Sequence, residues 1–145
     1  MKNGAVVRQF NDRLAASGLR LTPQRAQVYQ VLLAHRDHPT AEQVFLRAKP
    51  KMPDISMATV YNCLDALVTC GLVRLVNVER SATRYCPNMR EHFHFHCERC
   101  GGIFDIDLDS AAQSRSFGIP RGFRVTRYEI AAHGHCPGCA AKPAK

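Results

Sequence analysis

Two Cys-x-x-Cys pairs, Cys97/Cys100 and Cys136/Cys139, stand 35 residues apart in a chain of 145. Each pair offers two thiolates from one turn, and two such turns supply the four sulfurs of a closed tetrahedral site. The fold must therefore bring the region after residue 134 back against residue 97. Glycines in Cys100-Gly101-Gly102, and Gly138 before Cys139, permit the tight turns of such knuckles. Seven cysteines make an odd number for a disulfide framework. Buried or redox-active cysteines are the alternative, but a redox Cys-x-x-Cys is normally single and precedes a helix in a thioredoxin-like fold. The pairs read as a structural zinc site.

Upstream, four segments carry helix start or stop signals. Val6, Val7, Phe10 and Leu14 recur at helical spacing up to Ser17, and Gly18 follows at a C-cap position. Thr22-Pro23 supplies an N-cap oxygen and a first-turn proline ahead of Val28, Val31, Leu32 and Leu33. Thr40-Ala41-Glu42-Gln43 has the form of a capping box, and Pro50 and Pro53 end the helix it opens. Ser56 caps a fourth helix with Val60, Leu64, Leu67 and Val68 on one side and Thr59, Tyr61, Asn62 and Asp65 on the other. Two β-prone runs, 72–78 and 83–86, then read as a hairpin. With 20 Lys and Arg against 12 Asp and Glu, the net charge of +8 favours a polyanionic partner. Helices followed by a hairpin in that context make a winged helix-turn-helix, the plainer alternative being a helical bundle with an incidental hairpin.

The composition changes after Pro87-Asn88-Met89. His92-Phe93-His94-Phe95-His96 alternates with period two, giving one strand face three imidazoles and the other two phenyl rings. Strands are expected over 102–108 and 123–132, with a short helix over 110–117. The chain thus reads as α+β, with a winged-helix domain over 1–83 and a small metal-binding α/β domain over 84–145. A domain of roughly 60 residues needs a staple or a partner subunit to be stable. A second ligand cluster lies outside the cysteine tetrahedron: His92 and His94 on one strand face, Cys86, Asp105 on the next strand, and His38 before the third helix. Imidazole, thiolate and carboxylate together suit a first-row transition metal, and ligands from both halves would let it clamp them. The alternative is a solvated histidine face and a core cysteine. His96 reads as a neighbour of the knuckle, and His133 and His135 as polar fillers.

Thr-Pro-Gln-Arg (22–25), His-Pro-Thr-Ala-Glu (38–42), Ala-Thr-Val-Tyr (58–61), His-x-His-x-x-Cys-x-x-Cys-Gly (92–101) and Gly-His-Cys-x-x-Cys (134–139) occur in an order and spacing that resemble the ferric uptake regulator family over about residues 6–140. The resemblance implies a homodimeric metal-responsive repressor with an N-terminal winged helix and a C-terminal dimerisation domain. It also implies structural zinc on Cys97, Cys100, Cys136 and Cys139, and a sensing site of His38, His92, His94, Asp105 and the residue at 86. Iron- and peroxide-sensing members are acidic at that last position, whereas zinc-sensing members carry a cysteine at this spacing. His38 and Asp105 look instead like the peroxide-sensing branch. Tyr128 and Glu129 stand where some members add a histidine ligand on the last strand.

The expected function is a zinc-responsive repressor, with iron- or manganese-dependent peroxide or iron sensing as the alternative. Its expected partner is double-stranded DNA carrying a palindromic operator. Thr59 and Tyr61 would touch base edges while Arg20, Arg25 and Lys51 neutralise phosphates. Asn62 stands where the family often has arginine. A zinc hydrolase would need a general base, and there is no HExxH helix to supply one. A zinc-ribbon interaction module that senses nothing is the remoter alternative. No apolar run approaches the roughly 18–20 residues of a membrane span, and residues 1–8 show no signal-peptide stretch, so a cytoplasmic location is expected.

Overall fold

The computed structural model describes residues 2–108, 117–126 and 128–143. The chain divides into two compact units, Met1–Met89 and Arg90–Lys145.

The N-terminal unit runs α1 (Lys2–Ala16), α2 (Pro23–Ala34), α3 (Ala41–Ala48), α4 (Met57–Thr69), β1 (Arg74–Val76) and β2 (Arg84–Cys86). Its helix starts are those written in the sequence. The Arg25 amide donates to Thr22 Oγ1 at 3.2 Å, and the Thr59 amide to Ser56 Oγ at 3.1 Å. At α3 the capping box closes in both directions, Gln43 amide to Thr40 Oγ1 at 3.3 Å and Thr40 amide to Gln43 Oε1 at 2.9 Å. Such caps contribute about 1 kcal/mol each. Gly18 and Gly71 follow α1 and α4 with φ of +68° and +70°, a conformation that would strain a side-chain-bearing residue. Leu14, Val28, Leu32, Val44, Val60, Leu64, Leu67 and Leu72 are fully buried in one core, where Phe10 stacks on Tyr29. Each buried aliphatic side chain contributes about 1.5–3 kcal/mol.

Strands β1 and β2 pair antiparallel, Arg74 opposite Cys86 and Val76 opposite Arg84. They form the wing, and the unit is a winged helix-turn-helix. Because Arg84–Cys86 is the second strand of this hairpin, the N-terminal unit continues to Met89 instead of ending at residue 83.

The C-terminal unit holds β3 (His92–Cys97), β4 (Ile103–Asp107), β5 (Ala131–Gly134) and the short α5 (Pro137–Ala140). The sheet order is β4-β3-β5. β3 and β4 are antiparallel with His94 opposite Asp105; β3 and β5 are parallel with His96 opposite His133 and Cys97 opposite Gly134. That parallel return carries the second cysteine pair back to the first. The third strand is much shorter than the 123–132 expected from its alternation: it begins at Ala131, and the described residues of 123–130 are exposed, Phe123 at 72%. Branched and aromatic residues favour a strand only where a half-buried surface receives them, and among the described residues nothing buries this segment. The expected helix over 110–117 lies, but for Phe117, outside the described residues. Among the described residues no helix is long and apolar enough to cross a membrane.

Candidate metal centres

The four knuckle sulfurs, of Cys97, Cys100, Cys136 and Cys139, all lie within 4.8 Å of one another. Cys100 and Cys136 are 3.9 Å apart. Four thiolates at about 2.3 Å from one zinc stand about 3.8 Å from each other, so the cluster has the dimensions of a closed zinc tetrahedron. Backbone amides prepare it: the Cys136 N–H donates to Cys97 Sγ at 3.3 Å. That bond, with others from the amides of Cys100 and Arg99, brings the Cys97 thiol down to about 6. Cys139 is pushed the other way, by burial and by the neighbouring sulfurs. Four thiols this close cannot all ionise without a cation among them, and a dication removes the conflict.

On the sheet, His92 Nε2 lies 3.1 Å from His94 Nε2, and Asp105 Oδ1 lies 3.5 Å and 3.4 Å from these two nitrogens. The period-two alternation puts both imidazoles on one face of β3, and the antiparallel register sets Asp105 opposite His94. The His92 Nδ1–H donates to the Arg90 carbonyl at 2.7 Å, which fixes the tautomer and leaves the Nε2 lone pair facing the other two ligands. His96 stacks on His133, ring centroids 4.9 Å apart.

In the N-terminal unit a ring nitrogen of His38 and the Cys86 sulfur lie within 4.8 Å of each other. The wing brings them together: Thr40 bridges to Arg84, and the Tyr85 amide donates to the Pro39 carbonyl at 3.1 Å. His38 has φ of +54°, an uncommon conformation for a residue with a side chain and one typical of functional positions. Arg84 Nη1 donates to the His38 carbonyl at 3.1 Å and holds that backbone in place. Sequence reasoning missed Arg84, because a side chain bonding to a carbonyl 46 residues away leaves no pattern. Both His38 and Cys86 are buried.

The groups expected to face DNA lie on α4 (Thr59, Tyr61, Asn62), before and in the first turn of α2 (Arg20, Arg25) and after α3 (Lys51). Tyr61 is 49% exposed and Asn62 is exposed beside it, while Thr59 is half-buried, its hydroxyl 2.9 Å from Ser56 Oγ at the helix cap. Arg20 and Lys51 are exposed, and the half-buried Arg25 donates from Nη1 to the Arg20 carbonyl.

Residues 16–133 match the ferric uptake regulator family. The peroxide-responsive repressor PerR of Staphylococcus epidermidis is 34% identical over 129 residues, covering 87% of this chain and 85% of that one. Among solved structures, the Campylobacter jejuni peroxide stress regulator is 28% identical with a TM-score of 0.65, covering 92% of this chain and 98% of its own. The Helicobacter pylori ferric uptake regulator, described as having three functional metal binding sites, superposes with a TM-score of 0.78 at 20% identity over 97% and 95% of the two chains, a likeness of fold. With a match spanning most of its length and a relative sharing a third of its residues, this chain belongs to the ferric uptake regulator family of metal-dependent transcriptional regulators.

Proposed function

We propose that this protein is a cytoplasmic repressor that binds a palindromic operator as a homodimer when zinc occupies a regulatory site built from His38, Cys86, His92, His94 and Asp105. The observation that carries the reading is the Cys86 thiol beside His38, a soft donor where iron and manganese would favour oxygen. A bound divalent ion supplies the charge that lets thiolate, imidazole and carboxylate share one centre. The chain's own residues do the rest: the Arg90 carbonyl orients His92, and Arg84 fixes the His38 backbone. Ligands drawn from both units would convert metal occupancy into a fixed presentation of α4 to DNA. The structural zinc would be a separate ion on Cys97, Cys100, Cys136 and Cys139. For the dimer, support comes from the apolar sheet face of Phe93, Phe95, Phe104 and Ile106 and from exposed Phe117, Phe123, Tyr128 and Ile130, far more apolar surface than a small monomeric unit ordinarily leaves uncovered.

A second reading, iron- or manganese-dependent peroxide sensing, is favoured by the 34% identity to a peroxide-responsive repressor. The deciding measurement is operator binding by protein stripped of its regulatory metal, with each divalent ion restored in turn. Zinc should restore binding at one equivalent beyond the structural one. Restoration by iron or manganese alone, followed by loss on peroxide treatment, replaces the zinc reading with the peroxide sensor.

At the DNA surface, Tyr61→Ala and Thr59→Ala should relax sequence preference, at about 1–3 kcal/mol for each base-edge interaction removed. Arg25→Ala should weaken all sequences alike and flatten the salt dependence. Competition binding against single-base operator variants distinguishes the two classes, and an altered preferred sequence in Arg25→Ala would reverse its assignment.

A further inference from the structure

Arg99 sits inside the first Cys-x-x-Cys turn, yet its guanidinium reaches the second. Nη1 donates to the carbonyls of Cys139 and Lys142, both at 3.1 Å, and Nη2 to that of Pro143 at 3.3 Å. These acceptors are the carbonyl end of α5 and the segment leaving it: the Cys139 carbonyl also accepts from the Lys142 amide at 3.2 Å, and those of Lys142 and Pro143 lie beyond the helix, past the reach of its own hydrogen-bond ladder. With four residues α5 is too short to be stable by itself, and Cys139 lies within it. A planar fork with two separated nitrogens can reach three carbonyls along one exit path, as a single ammonium nitrogen could not with the same geometry.

We propose that Arg99 is a positioning residue for the four-cysteine site: it straps the 136–143 knuckle to the 97–100 knuckle and thereby slows zinc loss. The assignment rests on the structural-zinc reading. It acts on zinc retention through the carbonyls of Lys142 and Pro143 as well as that of Cys139, so Arg99 and residues 142–143 form one device.

The experiment uses the zinc-loaded full chain and follows transfer of zinc to excess chromophoric chelator. Arg99→Met should release zinc about tenfold faster or more, the range for loss of a residue that orients metal ligands. Truncation after Ala141, which removes two of the three acceptors, should accelerate release in the same sense. The double variant should be no faster than Arg99→Met, because both changes cut the same strap. Arg99→Lys, with the charge but a single nitrogen, should recover only part of the retention. Release at the wild-type rate from Arg99→Met, multiplicative acceleration in the double variant, or full rescue by lysine would each overturn the proposal. If Arg99→Met retains no zinc to measure, the truncation decides alone: wild-type release from it overturns the strap, faster release supports it. Wild-type protein that carries no zinc would instead defeat the zinc reading itself, a result read directly from its metal content.

Discussion

Cys136→Ser should lose its structural zinc and its dimeric state together. Among its described residues the C-terminal unit has three short strands and a four-residue helix, with buried Cys97, Cys136 and Cys139 and the half-buried Phe95 as its cluster at the knuckle. Structural zinc at such sites supplies on the order of 10–16 kcal/mol of apparent binding energy, more than the whole stability of most small domains. Removing one ligand should leave the sheet without its closure, while the N-terminal helices, held by their own buried core, keep their structure. Metal analysis and light scattering on the same sample check the claim; a zinc-free dimer of normal stability would refute it. Acid should act in the same direction. The Cys97 thiol, ordinarily near 9.0, is lowered to about 6, so the stabilisation of its thiolate is complete above the ordinary value and is lost as pH falls through 6. Zinc retention measured between pH 8 and pH 5 should fall across that lower end.

Cys86→Asp should reverse the order in which metals activate operator binding. The substitution replaces a polarizable sulfur by a hard oxygen while leaving His38, His92, His94 and Asp105 in place, so zinc activation weakens and the response to manganese or iron rises relative to it. Cys86→Ser should impair zinc activation without touching the structural zinc, because the knuckle sulfurs are a separate cluster. Titrating each ion against operator affinity for the three proteins gives the ranking. An unchanged ranking in Cys86→Asp would mean that the residue at 86 is not a ligand.

The parts of this molecule that were legible in the sequence are those decided locally. Thr22, Thr40 and Ser56 cap helices through side chains that bond three residues onward, and residue spacing records such bonds directly. The face shared by His92 and His94 follows from strand parity alone. The pairing of the two cysteine turns was legible for a chemical reason, since two Cys-x-x-Cys turns match the donor set of a tetrahedral zinc site. The extent of β5 was not legible, because Phe123 and Val125 have strand character whether or not another surface covers them. The boundary between the units was harder to place than the hairpin itself: the run 83–86 reads as the second hairpin strand, and the first unit keeps that strand and continues to Met89. Arg84 and Arg99 escaped because each reaches main-chain carbonyls more than 35 residues away, and an arginine bonded to carbonyl oxygen has no characteristic neighbours in sequence.

The strict alternation of β3 also bears on misfolding. A slip of one residue along β4 would turn both phenyl rings toward the ligand side and send the imidazoles to the greasy side, so the slipped sheet could neither coordinate an ion nor offer an apolar surface to another subunit. Metal therefore discriminates against one-residue slips of this strand and withholds its binding energy from them. In a cell short of metal, newly made chains would lack that selection against the slipped register.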